Sequence, residues 1–396
     1  MPYNYSRAKK YFTYIFEYIF FGLFYILGYF RKGHLLARHN NENNILLIEP
    51  FQMGDVISLS VLFDPILEKF PNANIYLLLK PANKAVYELD KRIKKVFLVD
   101  FPWSDYDKKF SIKKISKLFL ELHRIRSSYF FEIGIDSRGD LRSQIILVFL
   151  KCRKRLGYLT YLNSNIKVKG LLLTHKLVTS KLKHRFDSNY ELLSLLGINR
   201  QLPISFPTLQ YPYEDFIDSN FNNKSGKWSI VIHTGGGSKY KKWPEQNWEE
   251  LIRFLIGENR SNITLIYSDE NGDLITRLQV IFYESANFTI KKTSYLEMVK
   301  IIGNSNLFIC LDSGPMNIAG CLKKDVIALF GPGDSMNWYP YGNRSFYIHH
   351  LNQYKCSPCF QTKCVCPESN CMMSIKVNDV LKVYRDWQLV ISTNKR

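Results

Sequence analysis

Short apolar runs that end on turn residues recur along the chain and alternate with segments whose apolar positions fall at helical spacing. NILLIE, NANIYLLL, KKVFLVD and FFEIGID come first and KRLGY follows, with helical stretches after Asp55 over residues 56–70, near Lys84, and over residues 113–126, 141–151 and 184–198. Continuous apolar strands separated by helices predict a parallel sheet covered on both faces. Residues 202–227 are rich in Pro, Asn and Ser and carry no sustained period. A second series starts beyond them: WSIVIH, NITLIY, LFICL and VIALF, with helices over residues 244–256 and 295–303. The expected class is α/β, two Rossmann-like doubly wound domains over residues 41–205 and 228–396 joined by a linker over 206–227. A chain of 396 residues suits two cores of ordinary size.

Residues 11–30, YFTYIFEYIFFGLFYILGYF, break the alternation. As a helix they would measure about 30 Å, the thickness of a bilayer core. Glu17 would cost about 2.5 to 3.5 kcal/mol near the centre of a span. Eleven of the twenty residues are aromatic, and Arg7, Lys9 and Lys10 on one side balance Arg31, Lys32 and Arg38 on the other. Balanced cations give no orientation, and interfacial tyrosines favour an in-plane anchor over a span. A core helix docked on the globular body is the alternative. Residues 1–40 are therefore expected to be a membrane-associating helix and hinge.

The loops that follow the strands hold the candidate chemistry. Asp312, Ser313 and Gly314 close LFICL, and Pro315 fits the start of a helix, where its missing N–H costs nothing. Such a helix start at the carboxyl end of a parallel strand suits an anion such as a diphosphate. Gly235, Gly236 and Gly237 after WSIVIH would let backbone approach the same group. Gly54 and Asp55 sit in the corresponding loop after NILLIE, where the carboxylate faces a positive helix end.

Composition narrows the partners. A formal charge of +19 predicts attraction to a polyanion, but no helix-turn-helix, RNP motif or basic stripe points to nucleic acid. Of eight cysteines, Cys356, Cys359, Cys364, Cys366 and Cys371 crowd into sixteen residues. That clustering fits a reducing compartment better than a disulfide framework. C-x2-C spacing at Cys356 and Cys359 allows a structural zinc; buried or redox-labile thiols are the stronger reading. Asp105 and Asp107 form a D-x-D, but Lys108 and Lys109 crowd it, so a solvated loop is expected and no catalytic metal.

Three stretches in order, ILLIEPFQMGDVISLS, WSIVIHTGGGSKYKKWPEQNWEEL and DSGPMNIAG with VIALFGPGD and Trp338, Pro340 and Gly342, resemble glycosyltransferase family 9, the lipopolysaccharide heptosyltransferases. The resemblance runs over residues 44–383. It implies the GT-B architecture, two Rossmann-like domains facing each other across a cleft, the first on the acceptor side and the second binding the donor. It also implies an inverting, metal-independent transfer of a sugar, heptose from ADP-heptose, onto a lipopolysaccharide or related phosphorylated glycolipid at the cytoplasmic face of the inner membrane. The partners implied are a nucleotide-sugar donor, that acceptor and an anionic membrane surface, with no cofactor beyond the substrates. By the same resemblance Asp55 is the general base and Lys241, ahead of Lys242, neutralises the leaving diphosphate. Thr234, Gly235, Gly236, Asp312, Ser313 and Gly314 would bind the donor, and Glu270 its ribose. Asn317 stands where the family usually has His, which puts any role for an imidazole there in question.

Overall fold

The computed structural model describes residues 7–27, 43–104, 112–159, 170–178, 183–199, 209, 226–268, 272–341, 344–350, 353, 354, 356, 359, 364 and 370–393. The chain divides into two compact units, Met1–Tyr211 and Pro212–Arg396.

Unit 1 holds strands β1 (Asn44–Glu49), β2 (Asn74–Leu79), β3 (Ile93–Leu98), β4 (Ile133–Asp136), β5 (Lys154–Tyr158) and β6 (His175–Leu177). Its helices are α1 (Arg7–Ile26), α2 (Met53–Ile57), α3 (Ser60–Lys69), α4 (Lys84–Tyr87), α5 (Ile112–Ser128), α6 (Leu141–Phe149) and α7 (Arg185–Glu191). The sheet is wholly parallel in the order β3-β2-β1-β4-β5-β6. β1 is buried along its whole length, which is why it reads as an unbroken apolar run. Leu46, Ile48, Tyr76, Leu78, Phe97 and Phe131 build the core with Leu118 and Leu122 of α5.

Unit 2 repeats the plan. Strands β7 (Trp228–His233), β8 (Ser261–Tyr267), β9 (Phe288–Lys292), β10 (Leu307–Leu311), β11 (Asp325–Phe330) and β12 (Ser345–His349) form a parallel sheet in the order β12-β11-β10-β7-β8-β9. Helices α8 (Glu245–Glu258), α9 (Gly272–Ile281), α10 (Tyr295–Gly303), α11 (Gly314–Cys321), α12 (Ser335–Trp338), α13 (Cys371–Ser374) and α14 (Val377–Thr393) complete it. Its core joins Ile230, Ile232, Ile309 and Leu329 of the sheet to Trp248 of α8 and Trp387 of α14. In each sheet the chain winds outward over three strands and then returns to the other side of the first. The reversal falls between β1 and β4 in unit 1 and between β7 and β10 in unit 2. Ligands of open α/β sheets bind at this reversal, beyond the carboxyl ends of the strands.

The single helix expected over residues 56–70 is two helices. Tyr87 Oη donates to the carbonyls of Val56 and Ile57 at 2.9 and 3.1 Å, and Asn189 Nδ2 donates to that of Ser58 at 2.9 Å. Carbonyls held by side chains mark a break in the i→i−4 ladder there. The helix also begins earlier than expected, at Met53, so Asp55 lies inside the first turn. In α1, Phe24 packs among Ile145, Val148 and Leu172. Among the described residues no helix is long and apolar enough to cross a membrane.

Candidate active site

In unit 1 the loop after β1 and the loop after β4 meet at the reversal of strand order. Asp55 Oδ2 accepts the backbone N–H of Gln52 at 3.2 Å, closing a capping box, and Asp55 Oδ1 pairs with Arg138. Arg138 lies with its guanidinium 4.5 Å from the centre of the Phe51 ring. Lys80 donates to Gln52 Oε1 at 2.9 Å, and Asn83 donates to the Phe51 carbonyl at 2.8 Å. The loop that carries Asp55 is thus pinned from the ends of β2 and β4 as well as by its own helix.

Beneath it lies a buried charge network absent from the expectations. Glu49, at the last position of β1, accepts from Ser137 Oγ at 2.7 Å and pairs with Arg185 at 3.1 Å. Arg185 also donates to the Ser137 carbonyl at 3.0 Å, and its Nε stands 4.0 Å from Asp55 Oδ1. Burial, and then the neighbouring charge of Asp55, raise the Glu49 carboxyl above the ordinary range. Burial, with Asp140 nearby, pushes Asp136 up to about 7, where Gln144 Nε2 donates to its Oδ2 at 3.1 Å. The one signal in the sequence was a glutamate ending an apolar strand. Buried carboxylates need cationic or donor partners, and Arg138 and Arg185 supply them.

Unit 2 brings together the residues expected to bind the donor. Thr234 and Gly235–Gly237 follow β7, and a 3-10 turn, Lys239–Lys241, carries Lys241 inward while Lys242 stays exposed. Lys241 Nζ lies 2.5 Å from Asp312 Oδ2 and donates to the Asp312 carbonyl at 3.3 Å. Trp243 sets this geometry from behind: it is buried, donates from Nε1 to the Ile375 carbonyl at 2.9 Å, and meets Trp248 edge-on at 4.9 Å. The Lys-x-Trp-Pro spacing therefore places one residue in the core and another at the strand ends.

Gly236 and Gly333 enclose the pair. A Cβ on Gly236 would lie 3.2 Å from Lys241 Cβ, and a Cβ on Gly333 would overlap Asp312 Oδ2. Ser313 is the N-cap residue of α11 with extended backbone, and Gly314 and Pro315 form its first turn. Ser313 Oγ donates back to the Leu311 carbonyl at 3.2 Å, so the cap position is not closed by its own side chain. N–H groups in a first turn lack intrahelical partners, and they favour an anion. Asn317 Nδ2 reaches the Ser313 carbonyl at 3.5 Å, while its buried Oδ1 has no hydrogen-bond partner among the described residues.

Two histidines at these strand ends were not singled out from sequence. His233 closes β7 and is buried, which lowers it to about 4 and keeps the imidazole neutral. His349 closes β12 and joins Ser335 Oγ at 2.8 Å to the Gly331 carbonyl at 2.9 Å. Burial lowers its pKa. It holds the Gly331–Asp334 turn in place.

Two of the described cysteines, Cys359 and Cys371, lie against that turn. The Cys359 N–H donates to the Pro332 carbonyl at 2.8 Å, and a Cβ on Gly331 would lie 3.3 Å from Cys371 Sγ. Burial, and then the thiols of Cys359, Cys364 and Cys356, push Cys371 up to about 11, so it is a protonated thiol. Among the described residues no group of three or more His, Cys, Asp or Glu side chains could hold a metal ion. Cys366, Glu270, Asp105 and Asp107 lie outside the described residues.

The sequence profile of glycosyltransferase family 9 (heptosyltransferase) matches residues 121–369. A curated relative, lipooligosaccharide heptosyltransferase 2 of Campylobacter jejuni, is 24% identical over 342 residues, covering 84% of this chain and 95% of the relative. Among solved structures, a family 9 glycosyl transferase from Veillonella parvula superposes with a TM-score of 0.66 at 16% identity, over 88% of this chain and 97% of the other. The E. coli ADP-heptose lps heptosyltransferase II gives a TM-score of 0.65 at 18% identity, over 88% and 99%. The profile spans well over half of the chain, and the solved relatives share its two-unit GT-B fold: the chain belongs to glycosyltransferase family 9, the heptosyltransferase family, and is a glycosyltransferase.

Proposed function

We propose that this chain transfers a heptose from ADP-heptose to a lipopolysaccharide-type glycolipid, with inversion and without a catalytic metal. The observation that carries the reading is the Lys241–Asp312 pair at the reversal of the unit 2 sheet, beside the open first turn of α11. A cation and a helix start at one strand end are the charges a leaving nucleoside diphosphate requires. Relatives named as heptosyltransferases support the sugar, and an E. coli heptosyltransferase, WaaC, has been solved with ADP and with ADP-2-deoxy-2-fluoro heptose.

In the proposed reaction an acceptor hydroxyl oxygen attacks the anomeric carbon and gives its proton to Asp55. The bond from that carbon to the donor phosphate oxygen breaks on the opposite face, and the electron pair leaves with the diphosphate. Lys241 and the first turn of α11 neutralise that charge as it grows. Arg138 pairs with the Asp55 carboxylate and orients it, as a general base must be placed before it accepts a proton. A membrane glycolipid acceptor places the work at the cytoplasmic face of the inner membrane, and the net charge of +19 favours that anionic surface. Thermal unfolding of the purified chain with ADP-heptose, GDP- and UDP-linked sugars tests the donor. Protection by ADP-heptose above the others is expected; protection by another donor alone overturns the choice of nucleotide sugar.

A further inference from the structure

From Ile15 to Ile26 helix α1 is apolar at every position but Glu17 and Gly22, yet only one side of that stretch turns to the protein. Glu17, Phe20, Phe21 and Phe24 fall at i, i+3, i+4 and i+7 and turn toward unit 1. Phe24 is buried among Ile145, Val148 and Leu172, and Glu17 is 0% exposed. The Glu17 carboxylate accepts the backbone N–H of Leu171 at 2.7 Å. That bond gives the buried acid a donor and fixes the rotation of the helix about its own axis.

The opposite side carries Ile15, Tyr18, Ile19, Leu23, Tyr25 and Ile26, with Ile26 79% exposed. Eight of the eighteen large apolar side chains exposed among the described residues lie between Ile15 and Leu27. Such a concentration marks an interaction surface. A helix that is hydrophobic all round belongs in a core or against lipid, and the bond at Glu17 already commits one face to the core.

Charge decides the partner. The helix opens with Arg7, Lys9 and Lys10, and Arg31 and Lys32 follow it in sequence. Helix α6, on which α1 packs, also touches α5, where Lys113 and Arg124 are exposed. An apolar stripe rimmed by tyrosines and flanked by cations fits a surface with an anionic face and an apolar interior. A second copy would instead bring the same cations together.

We propose that α1 is an in-plane membrane helix carried on unit 1: Glu17 and the three phenylalanines hold it to the protein while Ile15, Tyr18, Ile19, Leu23 and Ile26 enter the headgroup and acyl boundary of an anionic lipid leaflet. This deepens the proposed function, on which it rests only for the choice of a membrane as the place of work. The lipid contact needs neither donor nor acceptor.

The test is flotation of the full chain with preformed vesicles of phosphatidylcholine alone or mixed with phosphatidylglycerol, both free of glycolipid. Binding to the mixed vesicles is expected, weaker binding to the neutral ones, and partial loss in high salt. The variant Ile15→Ser/Ile19→Ser/Ile26→Ser should lose about tenfold or more of the binding at unchanged unfolding temperature and donor affinity. A protease site added at the N-terminus should stay cleavable from outside the vesicles. Unchanged binding by the triple variant overturns the proposal, as does failure of the wild-type chain to bind anionic vesicles. A protected N-terminal site would show a span, and conversion of a dimer to a monomer by the triple variant would show a protein interface; either overturns it. Vesicle binding without any sugar transfer would instead count against the proposed reaction and leave the membrane contact standing.

Discussion

Lys241 Nζ and Asp312 Oδ2, 71 residues apart in sequence, stand 2.5 Å from each other across the point where strand order reverses in unit 2. Asp55 and Arg138 hold the same position in unit 1. Each sheet thus presents an ion pair at the place where open α/β sheets bind ligands. In one the proposal gives the working role to the cation, in the other to the carboxylate.

Lys241→Ala is expected to weaken donor binding and to slow transfer by about 10² to 10³, because the diphosphate charge is present in the ground state and grows as the bond breaks. Titration calorimetry with donor and steady-state turnover check both effects. Unchanged donor affinity and rate in this variant would remove Lys241 from the mechanism. Turnover should survive excess EDTA, since the proposal draws the neutralising charge from Lys241 and α11; loss of turnover with the fold intact would require a metal.

Asp55→Asn is expected to lose about 10² to 10⁴ in turnover at unaltered donor affinity, since it removes the proton acceptor and leaves Lys241 and α11 untouched. Wild-type turnover would exclude Asp55 as the base. Glu49→Gln tests the network beneath it, because the Arg185 guanidinium then loses its carboxylate partner. Breaking a buried pair in this way costs about 3 to 5 kcal/mol, read as a lowered urea midpoint; an unchanged midpoint would mean that the pair holds nothing in place.

His233 gives a pH dependence of definite sign. Its folded-state pKa, about 4, lies below the unfolded value of 6.5, so the unfolded chain takes up the proton first. Its contribution to stability is complete above pH 6.5 and is lost as pH falls toward about 4, with a limit of about 3 kcal/mol. Asp136 runs the other way: its folded pKa of about 7 exceeds the ordinary 3.8, so its contribution is complete below 3.8 and fades as pH rises through 7. Urea unfolding between pH 4.5 and 7.5 should therefore show a smaller loss at low pH for His233→Gln than for the wild type. Equal slopes would mean that the imidazole is not buried neutral.

Gly333→Ala places a methyl group where the Asp312 carboxylate lies. Moving that carboxylate disturbs its pairing with Lys241, and overpacking of this kind costs about 1 to 3 kcal/mol. Thermal unfolding and donor titration should both register it, and a variant indistinguishable from wild type would show that the turn relaxes freely.

The central strands and the loops after them were legible because burial on both faces leaves an unmistakable apolar run, as in NILLIE and LFICL. Of the outer strands, β3 was read as KKVFLVD, but β6, β9 and β12 were not. β9, FTIKK, and β6, HKL, expose most of their positions, and edge strands with Lys on the solvent side lack the continuous apolar signature. Asp55, Lys241 and Asp312 could be named from local motifs, but their partners could not. Arg138 lies 83 residues from Asp55 and Arg185 136 residues from Glu49, separations at which only the folded sheet brings side chains together. The break at Ser58 was hidden for the same reason, since Tyr87 and Asn189 reach it from later in the chain.

The most direct test of the proposed activity is to incubate the purified chain with ADP-heptose and a lipopolysaccharide acceptor that lacks heptose, and to read the acceptor by mass spectrometry. The account predicts a gain of one heptosyl residue and release of ADP, both lost together in Asp55→Asn. No gain from ADP-heptose, with transfer from a different nucleotide sugar or onto a different class of acceptor, would contradict it.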